Sequence, residues 1–204
     1  APHRITQWTD ACVVNAGDGW HQHPTQSLLD LYTATRHLGD LDGRRIAIVG
    51  DIKHSRVARS NAIGFAKMGA EVTFVAPQTL LPPSLEGWPV KVTHDLDEVI
   101  EDIDICYLLR MQLERQEQSV VPTLREFHEE YGLTAARASR LKDDALIMHP
   151  GPMNRGVEIA GEVADRPNAV ITEQVTNGIA VRMAVLYLLL GSGLDLVDER
   201  ADVA

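Results

Sequence analysis

Residues 45–50, Arg-Ile-Ala-Ile-Val-Gly, form a short β-branched run with no polar alternation, closed by a glycine. A strand that is apolar at successive positions has no face to turn to water. It must be covered on both sides, as in a parallel sheet wrapped by helices. The same unit then recurs. Residues 55–68 carry Val57, Ala58, Ile63, Phe65, Ala66 and Met68 as core positions of a helix that stops at Gly69. Residues 71–76 are a second strand ended by Pro77, residues 90–93 a weaker third, residues 104–109 a fourth and residues 145–149 a fifth. Helices are predicted between strands over 95–101 (short and acidic), 123–131 and 134–140. This alternation predicts an α/β fold, a doubly wound, mostly parallel sheet with helices on both faces.

The two ends read differently. Residues 12–16, Cys-Val-Val-Asn-Ala, are a candidate strand that leads through Gly17 and Gly19 to a helix over 24–38. Pro24 suits the first turn of that helix and Gly39 its stop. Residues 173–190 read as one long helix, apolar nearly all round from Ile179 onward except for Arg182. Such a helix is expected to be buried on most sides. The acidic tail after Gly191 is expected to be solvated.

Charge narrows the function classes. With 19 Lys plus Arg against 29 Asp plus Glu, the formal charge is −10. That excludes a nucleic-acid backbone or an anionic membrane as the main partner. Any anion must be held by a few local cations. Cys106 lies in an apolar run and Cys12 is far from it, so no disulfide scaffold is expected and the chain is assigned to the cytoplasm. No apolar leader opens the sequence. The greasiest stretch, residues 183–190, is well short of the roughly 20 residues a membrane helix needs.

In open parallel sheets ligands bind outside the carboxyl ends of the strands. There the first strand is followed by Gly-Asp-Ile-Lys-His-Ser-Arg (50–56), the fourth by Arg-Met-Gln (110–112) and the fifth by His-Pro-Gly-Pro-Met-Asn-Arg (149–155). Arg56, Arg110 and Arg155 thus stand at the functional edge of an acidic protein. Their planar forks suit carboxylates or phosphates. Any one alone is better explained by a surface ion pair; three together favour a site for a small, multiply anionic substrate. The first strand lacks the Gly-x-Gly-x-x-Gly and P-loop patterns, so neither NAD nor ATP is expected. His21 and His23 find no third metal ligand, and no Ser-His-Asp set or nucleophile elbow occurs. His23 and Gln26 stand at a helix start. They either polarise a carbonyl as an oxyanion hole does, or form a helix cap and a solvent-facing amide; spacing leaves both open.

Four segments carry a specific resemblance: His-Pro-Thr-Gln-Ser-Leu-Leu-Asp-Leu (23–31), Gly-Asp-Ile-Lys-His-Ser-Arg-Val-Ala-Arg-Ser-Asn (50–61), Leu-Arg-Met-Gln-Leu-Glu-Arg (109–115) and Met-His-Pro-Gly-Pro-Met-Asn-Arg-Gly-Val-Glu-Ile (148–159). In order and spacing, from about residue 13 to 190, they resemble aspartate carbamoyltransferase. The ornithine-specific sister family typically has Cys where Thr25 stands and Cys-Leu-Pro in the loop at 150–152. The resemblance implies transfer of a carbamoyl group from carbamoyl phosphate to the amino group of L-aspartate in pyrimidine synthesis. It implies that His23, the catalytic residue, donates to the carbamoyl carbonyl and that Gln26 contacts the carbamoyl group. Backbone carbonyls of Gly151 and Pro152 would hold the carbamoyl amino group, and Arg56 and Arg110, assisted by Gln112, the two carboxylates of aspartate. No cofactor and no metal are implied. The implied assembly is a homotrimer, with regulatory or dihydroorotase chains as further partners.

The family's Ser-Thr-Arg-Thr-Arg phosphate cradle and its Lys-bearing loop do not occur in the sequence. The chain therefore reads as the C-terminal two-thirds of such an enzyme, inactive alone. Residues 1–22 would end a carbamoyl-phosphate domain, the remnant of a second α/β domain; 23–176 would be the aspartate domain, and 177–204 a helix returning to the first domain, with a tail. The alternatives are a non-catalytic scaffold partner of a dihydroorotase, and an ornithine carbamoyltransferase.

Overall fold

The β-branched runs become neighbours. A computed structural model describes residues 2–111 and 123–191. In it β1 (Arg45–Val49), β2 (Glu71–Val75), β3 (Val90–Thr93), β4 (Ile105–Leu108) and β5 (Leu146–Met148) form one sheet in the order β3-β2-β1-β4-β5. Every pairing is parallel; Ile48, in the central strand, sits opposite Phe74 on one side and Tyr107 on the other. Alternation within the apolar runs supplies two cores. Ile46, Ile48, Phe74 and Tyr107 pack on one face with Ala58, Ala62 and Phe65, while Ala47, Val49, Cys106 and Leu108 pack on the other with Leu96, Ile100 and Ile159. The doubly wound reading stands.

The helices follow their stop and start signals. After the single turn α1 (Pro2–Ile5), α2 spans Pro24–Leu38 with Pro24 in its first turn, and α3 spans Arg56–Lys67. The Ser55 hydroxyl caps α3 by accepting from the Ala58 N–H at 3.1 Å. Thr123 and Thr134 likewise cap α4 (Leu124–Tyr131) and α5 (Ala135–Ala138), so each threonine marks its helix start as the residue just outside it, while α5 ends at Ala138, two residues earlier than predicted. A single turn, α6 (Gly161–Ala164), precedes α7 (Ile171–Leu190).

Four expectations fail for local or packing reasons. Residues 95–101 form turns instead of a helix. The Asp95 carboxylate accepts from the Asp97 N–H at 2.8 Å, an alternative to helical pairing, and the segment is too short to propagate past it. Residues 12–16 are not a strand: none of the strands described lies beside them, and a lone strand cannot pair its backbone. Ile63 and Met68 face outward on α3, where they line a groove against Leu28 and Leu31 of α2. α7 is buried on one narrow side only, through Ile171, Gln174, Asn177 and Gly178. Ile179, Met183 and Leu190 are 63%, 64% and 78% exposed. No helix among the described residues is long and apolar enough to cross a membrane.

Candidate active site

The chain leaves β1 toward β2 on one side and returns to place β4 on the other, so a crevice opens where the winding reverses. Gly50 starts the turn after β1. Its φ is +118°, and a Cβ there would stand 3.1 Å from the Leu109 carbonyl, so the two strand ends pass closely only without a side chain. The turn carries Asp51 and His54, both buried, with His54 Nδ1 2.7 Å from an Asp51 carboxylate oxygen and the Trp20 ring edge-on to the imidazole. Arg56 then opens α3.

The start of α2 is set beside it. The His23 N–H donates to the Ser60 hydroxyl at 2.8 Å, and the Ser27 hydroxyl donates to the Ser60 carbonyl at 3.0 Å, tying α2 to α3. The His23 side chain makes no capping bond, which removes the capping alternative. From the far side comes the loop after β5. His149 Nδ1 accepts from the Gly151 N–H at 2.9 Å, and the proton on Nε2 is thereby directed to Glu158 at 3.1 Å. The Gly151–Pro152 peptide bond is cis.

These segments enclose a cavity of about 210 Å³. Its walls are His23 and Gln26 from α2, Ser55, Arg56 and Val57 from the start of α3, Leu109 and Arg110 from the end of β4, and Pro150, Gly151 and Pro152 from the loop after β5. The residues that the resemblance assigns to the substrates, among those described, therefore meet in one place; Gln112 lies outside the described residues. Arg155 does not join them. It forms a two-pronged ion pair with Asp165, both bonds 2.8 Å, which is the surface-pair alternative. The volume lies below the roughly 300 Å³ at which drug-sized pockets begin, and suits a small metabolite.

The electrostatics favour an anion. Among the described residues no carboxylate lies within ion-pairing distance of Arg56. Partial burial, Arg56 and Arg182 push His23 down to about 4, so the imidazole is neutral at physiological pH. Its Nδ1 stands 3.4 Å from the Thr25 hydroxyl. A hydroxyl donating into Nδ1 leaves the ring proton on Nε2. No group of three or more His, Cys, Asp or Glu capable of holding a metal occurs among the described residues.

Behind Gln26 lies Asp30, a residue of the 23–31 motif to which the sequence alone attaches no role. Burial pushes its carboxyl up to about 6, against four hydrogen bonds that pull it down. A polar residue on the face of α2 that carries Leu29 and Ala34 was the one available signal.

Residues 42–189 match the family described as aspartate/ornithine carbamoyltransferase, Asp/Orn binding domain. The chain belongs to this carbamoyltransferase family. It is 59% identical over 201 residues to the aspartate carbamoyltransferase catalytic subunit of Acidothermus cellulolyticus, covering 98% of this chain and 62% of that protein. Among solved carbamoyltransferase structures, aspartate transcarbamoylase from Trypanosoma cruzi in complex with phosphate superposes with a TM-score of 0.80 at 31% identity, over 93% of this chain and 65% of that one. Ornithine carbamoyltransferase from Gloeobacter violaceus gives 0.79 at 27% identity, over 93% and 66%. The chain thus spans a little under two-thirds of the length of the relatives it matches.

Proposed function

We propose that this chain is the aspartate-binding part of an aspartate carbamoyltransferase, which joins the carbamoyl group of carbamoyl phosphate to the amino group of L-aspartate. The observation that carries the reading is the convergence of His23, Gln26, Arg56, Arg110 and the 150–152 loop on one small cavity. Two arginines match the two carboxylates of aspartate; ornithine, with one carboxylate and a cationic side chain, would leave one of them facing a like charge.

In the reaction the aspartate amine attacks the carbamoyl carbon, a C–N bond forms, the C–O bond to phosphate breaks and the amine's proton passes to the departing phosphate. The developing negative charge on the carbamoyl oxygen is met by the neutral His23, whose Nε2–H donates without needing reprotonation. Gln26 and the carbonyls of Gly151 and Pro152 orient the carbamoyl NH₂. Arg56 and Arg110, with Gln112 beside them, hold aspartate so that its amine is presented in line. No side chain forms a covalent intermediate.

The phosphate end belongs to the part of the relatives that this chain does not span. We assign residues 1–22 to the end of that domain, 23–176 to the aspartate domain, and 177–204 to a return onto the first domain. The exposed apolar side of α7 supports this assignment. The name "catalytic subunit" carried by the relatives supports an oligomer, read as a cytoplasmic homotrimer that takes regulatory or dihydroorotase chains as partners.

The test is an assay of the full-length protein with carbamoyl phosphate and either aspartate or ornithine. Carbamoyl-aspartate is the expected product, and Arg110→Ala should lower kcat/KM for aspartate by roughly 30- to 1000-fold, the loss of about 2–4 kcal/mol from a charge-assisted pair. Turnover of ornithine alone overturns the assignment, and turnover of neither favours the scaffold.

A further inference from the structure

The Asp30 carboxylate is fully buried, and its four hydrogen-bond donors, all neutral, come from four different elements. They divide between its two oxygens. Oδ2 takes the framework: Asn61 Nδ2 of α3 at 2.8 Å and the Tyr107 hydroxyl of β4 at 2.6 Å. Oδ1 takes two glutamine amides: Gln26 Nε2 at 3.0 Å and Gln174 Nε2 of α7 at 2.7 Å.

A carboxylate only accepts, so each amide must turn its NH₂ toward Asp30 and its carbonyl away. For Gln26 the polar atom left to offer the cavity is Oε1. For Gln174 the outcome is observed, since its Oε1 accepts from the His149 N–H at 3.0 Å. His149 in turn holds the Gly151 N–H, so this arm ends in the opposite wall of the same cavity. One oxygen atom is linked to both walls.

We propose that Asp30 is a positioning residue for carbamoyl transfer: through Oδ1 it fixes the Gln26 amide as an acceptor toward the carbamoyl NH₂ and, through Gln174, fixes the 149–152 loop on the other side. The proposal rests on the carbamoyltransferase reading above. It separates Asp30 from an ordinary buried polar residue because its two oxygens serve different ends, the site and the frame. Asp30→Asn keeps shape but puts an NH₂ among donors, so the cheapest relief is rotation of a glutamine amide by half a turn. Rotation of Gln26 would present a donor where the substrate also has one.

The full-length enzyme tests this, with Asp30→Asn and Tyr107→Phe compared at a temperature where melting curves show both folded. Asp30→Asn should lower kcat tenfold or more while changing the KM for aspartate less than threefold. Tyr107→Phe, which strips a donor from Oδ2, should keep kcat within threefold even if its Tm falls further. Equal kcat losses in the two variants, or an unchanged kcat in Asp30→Asn, overturn the proposal. If Asp30→Asn does not fold, Gln174→Met, which cuts only the loop arm, should still lower kcat tenfold; an unchanged kcat overturns the proposal. Wild-type enzyme that carbamoylates no aspartate overturns the reaction, and positioning is then read from ¹⁵N side-chain amide resonances. Those of Gln26 should shift in Asp30→Asn and stay in place in Tyr107→Phe; the reverse overturns it.

Discussion

Gly17 lies flat against the Arg56 guanidinium. A Cβ at position 17 would stand 2.6 Å from Arg56 Nη1, and the backbone there has φ +121°. Gly17 thus backs the Arg56 guanidinium: its positive φ favours a residue without a side chain, and an added Cβ would push the guanidinium aside. Gly17→Ala in the full-length protein should raise the KM for aspartate and lower kcat/KM by about 10- to 100-fold, the scale of an ångström-sized misplacement, with the KM for carbamoyl phosphate little changed. Steady-state kinetics against both substrates check this; equal effects on the two would point to a general loosening of the cavity instead.

His23 carries two expectations. As a donor to developing charge, its loss in His23→Ala should lower kcat by about 100- to 1000-fold with a smaller effect on substrate KM values. The same side chain has a pH signature in stability. Its value is depressed from 6.5 to about 4 in the fold, so between these limits the unfolded chain binds the extra proton. Stability from this group is therefore present above pH 6.5 and is lost as pH falls toward 4. Melting temperatures of wild type and His23→Gln over pH 4–8 should differ in slope between pH 4 and 6.5, the wild type losing more stability toward the acid end; parallel curves would show that the imidazole is not desolvated.

The two thiols should behave oppositely. Cys106 is buried in β4, and desolvation pushes it up to about 12, whereas Cys12 is exposed. Thiolate is the reactive form, so at pH 8 a thiol reagent should modify Cys12 in the native chain and Cys106 only after denaturation. Rapid titration of both in the native protein would mean that the sheet opens at β4.

The exposed side of α7 predicts that the isolated 204-residue chain associates. Ile179, Met183, Leu186 and Leu190 share its exposed side. The chain alone should sediment as more than a monomer and bind an apolar dye, and Ile179→Lys with Met183→Lys should abolish both with little change in Tm. The same pair of substitutions in the full-length protein should destabilise it, since there the side is expected to be covered. Monodisperse, dye-silent monomers of the unsubstituted chain would remove the need for a covering surface.

The parallel sheet was legible in residues 45–50, 71–76 and 104–109 because a strand without polar alternation has one solution, burial on both faces. Helix limits were legible wherever a threonine, serine, proline or glycine set them, at Pro24, Ser55, Thr123 and Gly39. The edge arginines and the His23–Gln26 pair were nameable from their places after strands and at a helix start, because those places are fixed by the chain's order. What sequence could not decide was which arginine stays available. Asp165 neutralises Arg155, while no carboxylate described reaches Arg56, and that depends on distances across the fold. Nor could it single out Asp30. Its meaning comes from donors 4, 31, 77 and 144 residues away that meet only when α2, α3, β4 and α7 close over one buried carboxylate. Local pattern fixes the elements because sterics and hydrophobic periodicity act over a few residues. Only the packed structure assigns roles to polar groups, because a hydrogen bond in a dry interior is decided by whichever partners the packing brings within reach.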